Sequence, residues 1–294
     1  MNKPKDEPGL QTILSHCGRN LEASGGYVNV PPYEGSTILH DDMEDLFGRV
    51  DNHLYGDGTA QTYGTDGGPT HEAFYDAMNK LEGGAGTWAF STGLAGCTIP
   101  MMAFLKTGDH MLVTDSVYGP TRQFCEVLLK NFGVEAEFYE PTIGAGIEKL
   151  IRPNTRLIYM ESLGTHTFEM QDVPAIAAVA RKYNIVTMID NTYATPLNFQ
   201  PLKHGVDVVV HSATKYICGH SDVLMSTVTC NEKNWKQVRD VCKMTGQYAS
   251  AQSVYLGLRG LRTLKVRLDA VGVHTRKVVD WLLKREEVKK VIWP

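Results

Sequence analysis

From residue 71 onward, apolar residues alternate between helical spacing and short uninterrupted runs. In the segment 72–81 they lie three or four positions apart, which is typical of one buried helix face. The runs 185–190 and 206–211 are β-branched and almost wholly apolar, as in strands buried on both faces of a parallel sheet. The two patterns together predict helices over 72–81, 94–105, 121–131 and 173–183, and strands over 87–90, 110–114, 157–161, 185–190 and 206–211. This alternation predicts a doubly wound α/β domain over roughly residues 70–230.

The two ends of the chain have different patterns. The first sixty residues are rich in turn formers, including a Gly-Gly and a Pro-Pro pair, and have no sustained period, so we expect an extended arm. The segment 252–284 has helical spacing and predicts one or two long helices. The segment 288–293 predicts a short final strand.

Composition and charge exclude several classes of function. The 294 residues are 43% hydrophobic and 21% charged, which supplies enough apolar side chains for a large core. Lys and Arg number 29 against 33 Asp and Glu, and the resulting net charge of −4 lacks the basic excess of nucleic-acid-binding proteins. No apolar run approaches the roughly 18 residues that cross a bilayer, and the charged start has no apolar stretch. We therefore expect no nucleic-acid partner, no membrane span and no secretory signal.

The six cysteines are scattered along the chain without a CxxC pair. Such spacing does not form a zinc site, and an even count does not by itself make a disulfide framework in a chain of this length. We expect reduced packing thiols, a cytoplasmic protein and no metal site.

Two polar residues follow predicted strands. Asp190 comes directly after the run 186–189, and Lys215 follows the strand at 206–211. Because ligands of open α/β sheets bind beyond the carboxyl ends of the strands, we expect both at one rim. A lysine amine there can form a Schiff base with pyridoxal 5′-phosphate (PLP), and an acid can keep the pyridine nitrogen protonated, which makes the ring an electron sink. A surface lysine and a helix-capping aspartate remain the alternative for this pair alone.

Two glycine-containing segments favour a bound anion. Residues 82–86 (EGGAG) precede a predicted strand, and residues 91–95 (STGLA) lead into the helix after it. Glycine there lets the backbone approach a phosphate, to which the first helix amides can donate. Neither segment is a GxGxxG fingerprint or a P-loop, which disfavours nicotinamide and nucleotide cofactors. Two ordinary turns remain the alternative.

Tyr118 follows the predicted strand at 110–114. A tyrosine at that rim can stack on a planar cofactor and transfer a proton. A loop aromatic that covers the core is the alternative.

Taken together, these residues resemble the PLP-dependent enzymes of cysteine and methionine metabolism, and among them the cystathionine β-lyases. The most specific motifs are 81–84 (LEGG), 189–192 (IDNT), 212–216 (SATKY) and 219–222 (GHSD), and the likeness extends from residue 12 to residue 264. The resemblance implies the PLP-dependent transferase-like fold, fold type I. It also implies an N-terminal arm (1–62) that contributes to a neighbouring subunit and a PLP-binding α/β domain (63–258). A connecting helix and the start of a C-terminal domain would follow at 259–294, and the rest of that small domain is expected to be missing.

The resemblance also implies roles for single residues. Lys215 would be the Schiff-base lysine that moves the α-proton, Asp190 the partner of the pyridine nitrogen, and Tyr118 the residue stacked on the ring. Tyr63 would reach the site of a neighbouring subunit, within a homotetramer built from two dimers, and either tyrosine would aid proton transfer. The implied phosphate ligands are the amides of Gly93 and Leu94 and the hydroxyls of Ser212 and Thr214.

Two positions depart from the family pattern. The arginine that clamps the cofactor phosphate is replaced by Thr65, followed by Asp66. The lost charge-assisted bond is worth roughly 1.5–3 kcal/mol. The segment 161–165 (ESLGT) has Gly164, as in the β-lyase branch, but Leu163 in place of the usual proline. The arginine that binds the substrate carboxylate belongs to the C-terminal domain and has no counterpart here.

The activity that the resemblance implies is a carbon–sulfur lyase of methionine biosynthesis and transsulfuration, which splits cystathionine by β-elimination into homocysteine, pyruvate and ammonia. A γ-lyase, a γ-synthase or a lyase of S-substituted cysteines on the same scaffold stays open, because leaving-group choice depends on pocket shape. Thr65 and the early end of the chain also leave open a non-catalytic binding or regulatory homologue with weak or no PLP.

Overall fold

The structure, a computed structural model, describes residues 8–56 and 58–293. Residues 1–7, residue 57 and residue 294 lie outside the described residues, so most of the charged start that argued against a secretory signal is not described. The helices of the described part are α1 (Leu10–His16), α2 (Met43–Tyr55), α3 (Pro69–Glu82), α4 (Gly93–Thr98), α5 (Gly119–Gln123), α6 (Val173–Lys182), α7 (Thr195–Asn198), α8 (Glu232–Met244), α9 (Ala251–Leu261) and α10 (Leu264–Leu282). The strands are β1 (Gly86–Phe90), β2 (His110–Thr114), β3 (Glu135–Tyr139), β4 (Thr155–Glu161), β5 (Val186–Asp190), β6 (Val208–His211) and β7 (Ser226–Cys230).

The seven strands form one sheet in the order β1-β7-β6-β5-β4-β2-β3. Strands β2 to β6 pair in parallel, whereas β7 is antiparallel to both of its neighbours, β1 and β6. The carboxyl ends of all strands except β7 therefore lie at one edge of the sheet. This topology confirms the predicted α/β class with a mostly parallel sheet.

Helices cover both faces of the sheet, as the almost wholly apolar strands require. In β6, the side chains of Val208 and Val210 pack on one face together with α4 and α8. Val209 packs on the opposite face together with α6. Further along that face, α1, α3 and α9 form a third apolar cluster. The polar residues that follow the strands are thus held on a buried, two-sided scaffold.

Two predicted helices differ from the structure in their detail. The one predicted at 94–105 is α4 followed by a 3₁₀ helix over Ile99–Ala103. Pro100 lies in this second turn, and its missing amide removes an α-helical bond. The helix predicted at 121–131 begins two residues earlier, as α5, and continues as a π-helical segment over Phe124–Leu129. The long tail helices predicted at 252–284 are α9 and α10.

Several elements were not predicted, and one prediction was wrong. Strand β3 (EAEFY) has acidic residues because it is the partly exposed edge of the sheet, and β7 (STVTC) is rich in threonine rather than aliphatic residues. Helix α8 is strongly charged and also went unpredicted. Residues 288–293 were expected to form a strand, but they form none, and the described sheet pairs no strand with them.

The expected extended arm contains two helices. Helix α1 packs against α3 and buries Leu14, and Cys17 just after it is also buried. Helix α2 has no buried residue within the single chain. The contribution of the arm to a neighbouring subunit, and the assignment of 259–294 to a second domain, remain predictions. No helix in the described part of the chain is long and apolar enough to span a membrane.

Candidate active site

Lys215 and Asp190 line the same cavity, which has a volume of about 670 Å³ and lies at the carboxyl edge of the sheet. Asp190 is the last residue of β5. Lys215 lies in the turn after β6, where its amide donates to the carbonyl of Ser212 at 3.0 Å. Strands β5 and β6 are parallel neighbours, so the residues that follow them lie at one rim of the sheet. This agrees with the prediction made from the positions of Asp190 and Lys215 after two apolar runs.

The carboxylate of Asp190 is held in the floor of this cavity. Its Oδ1 accepts a hydrogen bond from the amide of Thr192 at 2.9 Å, and its Oδ2 accepts one from the thiol of Cys97 at 3.5 Å. Burial, and after it the charge of Asp190, raises the pKa of the Cys97 thiol well above its ordinary value, so the sulfur keeps its proton and remains a donor. Asp190 is only 8% exposed, and a buried carboxylate requires hydrogen-bond donors. An N–H group of a molecule bound in the cavity would be a further donor to it.

The start of α4 forms an anion-binding end of the cavity. The hydroxyl of Thr92 caps the helix by accepting from the amide of Ala95 at 3.2 Å. The amides of Gly93 and Leu94 have no acceptor inside the helix, and both residues line the cavity. A Cβ atom on Gly93 would lie 2.6 Å from the Oγ of Ser212, so glycine is what allows this close approach. The helix start and Ser212 together form a cradle of donors.

The two hydroxyl residues predicted to bind phosphate differ in their surroundings. Ser212 lines the cradle, and its amide donates to the Oγ1 of Thr192 at 2.7 Å. The hydroxyl of Thr214 donates to the carbonyl of Met225 at 3.1 Å and accepts from the amide of Met225 at 3.0 Å. Because a hydroxyl has one proton, Thr214 can donate to a phosphate only by leaving that carbonyl. Ser212 is therefore the better anion donor of the two.

Glu161, for which the sequence predicted no role, lies beside this site. It ends β4 opposite Asp190 in the register of the two strands, and both line the cavity. Its Oε2 accepts from the amide of Tyr118 at 2.8 Å, and its Oε1 accepts from the hydroxyl of Thr165. Burial, and then the negative charge of Asp190, raises the pKa of Glu161 to about 8. The signal that sequence reasoning missed is a pair of acids at the ends of two predicted strands, Glu161 and Asp190.

Tyr63 is not among the residues that line this cavity. Its side chain is exposed on the single chain. The turn that follows it, Gly64–Asp66, is held by the carboxylate of Asp66, which accepts from the amides of Thr62 at 2.8 Å and Tyr63 at 3.0 Å. The departure at Thr65 and Asp66 thus places a turn-stabilising acid next to the position of the family's arginine. That Tyr63 reaches a neighbouring subunit remains a prediction.

The lining of the cavity fits PLP in its chemical demands. The cradle at Gly93 offers N–H and O–H donors to a phosphate, Asp190 offers a buried acceptor to a protonated ring nitrogen, and Lys215 offers an amine to an aldehyde. Tyr118 contributes a half-exposed aromatic ring at the rim. Phe168, Tyr193 and Tyr216 also line the cavity, and their neighbouring rings meet edge to face. Among the described residues, no group of three or more His, Cys, Asp or Glu is placed to hold a metal ion.

Comparisons with known proteins give a consistent result. A model of the family described as "Cys/Met metabolism PLP-dependent enzyme" matches residues 11–294. A putative cystathionine beta-lyase of Rhizobium johnstonii is 44% identical over 286 residues, which is 97% of this chain and 70% of that protein. The crystal structure of metB from Corynebacterium glutamicum superposes with a TM-score of 0.88 at 31% identity and covers 96% of this chain and 71% of that one. Cystathionine gamma-lyase from Lactobacillus plantarum, complexed with L-serine, has a TM-score of 0.87 at 29% identity with the same coverage.

Proposed function

The chain belongs to the family of Cys/Met metabolism PLP-dependent enzymes, with PLP as its cofactor, and on that premise we propose that it is a carbon–sulfur lyase that cleaves cystathionine by β-elimination. The overall reaction converts cystathionine and water into homocysteine, pyruvate and ammonia. The observation that carries the proposal is that an amine, a buried carboxylate and an anion cradle line one cavity. The sheet around it is the fold type I architecture that the resemblance implied.

Each part of the cavity has a task in this reaction. Lys215 would hold the cofactor through Nζ, Asp190 would face its ring nitrogen, and the cradle at Gly93 would hold its phosphate. PLP, when bound, supplies an electron sink for the negative charge left at the substrate α-carbon. Lys215 Nζ would be the base that takes the α-proton, and Tyr118, which also lines the cavity, would give a proton to the departing thiolate. Apolar and aromatic side chains, among them Leu163 and Phe168, line the cavity around these groups.

The decisive experiment removes the amine. Lys215→Ala is expected to release no pyruvate from cystathionine, while borohydride reduction of the wild-type protein with PLP should label Lys215, as read by peptide mapping. Lys203→Ala is a matched control, because Lys203 lies in the 3₁₀ turn Pro201–His204 ahead of β6 and does not line the cavity. Full pyruvate release by Lys215→Ala would refute the assignment.

A γ-eliminating enzyme is the second candidate, supported by the likeness to the Lactobacillus plantarum γ-lyase. The two reactions leave different keto acids, since loss of sulfur from the β-carbon yields pyruvate and loss from the γ-carbon yields 2-oxobutyrate. Chromatography of the keto acids formed from cystathionine separates them. S-substituted cysteines, offered in the same assay, test the third possibility on this scaffold.

A non-catalytic homologue remains the rival from another class, and Thr65 is the residue that supports it. Addition of PLP to the purified protein distinguishes the two, because an enzyme of this family becomes yellow with its lysine-bound cofactor. A protein that stays colourless would support the rival.

We also propose a homotetramer in which Tyr63 completes a neighbouring subunit's site, supported by its exposed side chain here. A cytoplasmic location is supported by the six cysteines, all of which are free and buried thiols. Cross-linking and sedimentation of the purified protein test the assembly.

A further inference from the structure

Glu161 bonds to two loops at the cavity, which the amide of Thr165 also joins by donating to the carbonyl of Ser116 at 2.8 Å. Its Oε2 accepts a hydrogen bond from the amide of Tyr118, and its Oε1 accepts one from the hydroxyl of Thr165. Tyr118 belongs to the loop after β2, whereas Thr165 belongs to the loop after β4. The carboxyl group therefore joins two loops that are far apart in sequence, and both loops line the cavity.

We propose that Glu161 is a positioning residue, which holds the backbone of Tyr118 and the loop of Thr165 as one unit so that the tyrosine ring keeps its place over the cofactor. The inference rests on the proposed function only for the reaction that it assists. The hydrogen bonds themselves belong to the protein without cofactor.

Burial and neighbouring charge indicate in which form Glu161 does this. It is 7% exposed, and the carboxylate of Asp190 lies opposite it in the adjacent strand. Two negative charges on neighbouring residues of a buried site repel each other, so one carboxyl group is favoured in its neutral form. Asp190 already has two donors, the Thr192 amide and the Cys97 thiol. The pKa of Glu161, raised to about 8, agrees with a neutral acid at this position. A neutral Glu161 carries a hydroxyl of its own, which can donate to the Oγ1 of Thr165 in place of accepting from it.

Replacing Glu161 with glutamine distinguishes a role in positioning from a role that depends on the charge of the carboxyl group. Glutamine keeps one acceptor for the Tyr118 amide and one N–H donor for the Thr165 oxygen, in the same shape. Glu161→Ala removes both bonds. With neither loop held, kcat/KM is expected to fall by about tenfold. Glu161→Gln is expected to recover most of that loss.

Glu140→Ala is the matched control. Glu140 also follows a strand at this edge of the sheet and also accepts a threonine hydroxyl, that of Thr142 at 2.8 Å, but it is exposed and does not line the cavity. It is expected to behave as the wild type.

Two measurements separate positioning from a general loss of structure. Hydrogen exchange of the cofactor-free protein, followed by mass spectrometry over residues 116–120, should show one faster amide in Glu161→Ala but not in Glu161→Gln or Glu140→Ala. In addition, Glu161→Ala should cost less than about threefold in a Tyr118→Ala background, because residues that act through one another are not additive. If Glu161→Ala does not fold, Thr165→Val replaces it in the exchange experiment, with the same amide expected to exchange faster.

Unchanged exchange at this amide, or additive losses with Tyr118→Ala, would overturn the proposal. So would a Glu161→Gln protein as inactive as Glu161→Ala, because charge would then be what matters. A wild-type protein that binds PLP but forms no keto acid would refute the lyase assignment alone, since the exchange experiment needs no activity.

Discussion

Replacing Gly93 with alanine tests the anion-binding end of the cavity directly. Gly93 is the first residue of α4, and its backbone lies against the side chain of Ser212. A new methyl group there would lie 2.6 Å from the Oγ and 3.3 Å from the Cβ of Ser212, whereas ordinary contacts begin at 3.4 Å. The serine hydroxyl must therefore rotate away from the cradle.

The size of the effect follows from what is displaced. Rotation of a serine hydroxyl costs little, so the stability of the cofactor-free protein should change by less than about 1 kcal/mol. The lost bond to a phosphate is a bond to a charged group, worth about 1.5–3 kcal/mol, which predicts PLP affinity about 10- to 100-fold weaker. Pyridoxal has no phosphate, so its affinity should change far less.

The assay is a titration of cofactor-free protein with PLP and with pyridoxal, followed by absorbance. Gly272→Ala in α10 is the matched control, because a Cβ there meets nothing within 4 Å. A second variant, Gly93→Ala with Ser212→Ala, removes the hydroxyl that the methyl group meets, and it should bind PLP no more weakly than Ser212→Ala alone.

A Gly93→Ala protein that binds PLP within twofold of the wild type would refute the cradle. An equal loss for PLP and pyridoxal would also refute it, since the defect would then not lie at the phosphate.

Three further predictions concern buried polar groups. Asp190→Asn removes the charge that faces the ring nitrogen and should lower kcat/KM by about 100-fold or more, as expected for a broken buried pair, while an unchanged value would contradict its role. Glu82→Ala leaves the buried ring of His211, whose Nε2 lies 2.5 Å from the Oε1 of Glu82, without its hydrogen-bond partner, and urea unfolding should show a loss of about 1–3 kcal/mol. The exposed ion pair of Lys265 and Asp269 on α10 is the control, because Asp269→Ala should lower the free energy of unfolding by less than about 0.5 kcal/mol. The pKa of Glu161 is raised in the fold from 4.5 to about 8, so its contribution to stability is full below pH 4.5 and is lost as the pH rises through about 8. The unfolding midpoint of cofactor-free Glu161→Gln should lack that part of the pH dependence, and equal slopes would contradict the assignment.

Much of the sheet could be predicted because its strands are buried on both faces. Strands β5 and β6 were predicted to within two residues at each end, since almost wholly apolar, β-branched runs are typical of such strands. The edge strand β3 and the antiparallel β7 could not be predicted in the same way. Acidic and threonine-rich segments have no local pattern that separates them from loops, and only pairing with β2, β1 and β6 makes them strands.

In the candidate site, too, some features follow from sequence position and others only from the fold. Asp190 and Lys215 could be placed at one rim from their positions after two apolar runs, because the carboxyl ends of parallel strands share an edge. The family resemblance implied that Thr214 is a phosphate ligand, and its hydroxyl bonds to the backbone of Met225 in this structure. A sequence motif does not state which of several hydroxyls is free.

The amino-acid sequence by itself thus determined the class of fold, the rim on which the chemistry lies and the residues that define the family, since these depend on local periodicity and on ordered motifs. The tertiary structure alone decided that the methyl-sized gap at Gly93 is filled by Ser212, and that Glu161 lies opposite Asp190 and holds Tyr118. Those contacts join segments distant in sequence. Their distances are set by strand order and register, which arise from packing of the whole sheet between its helices.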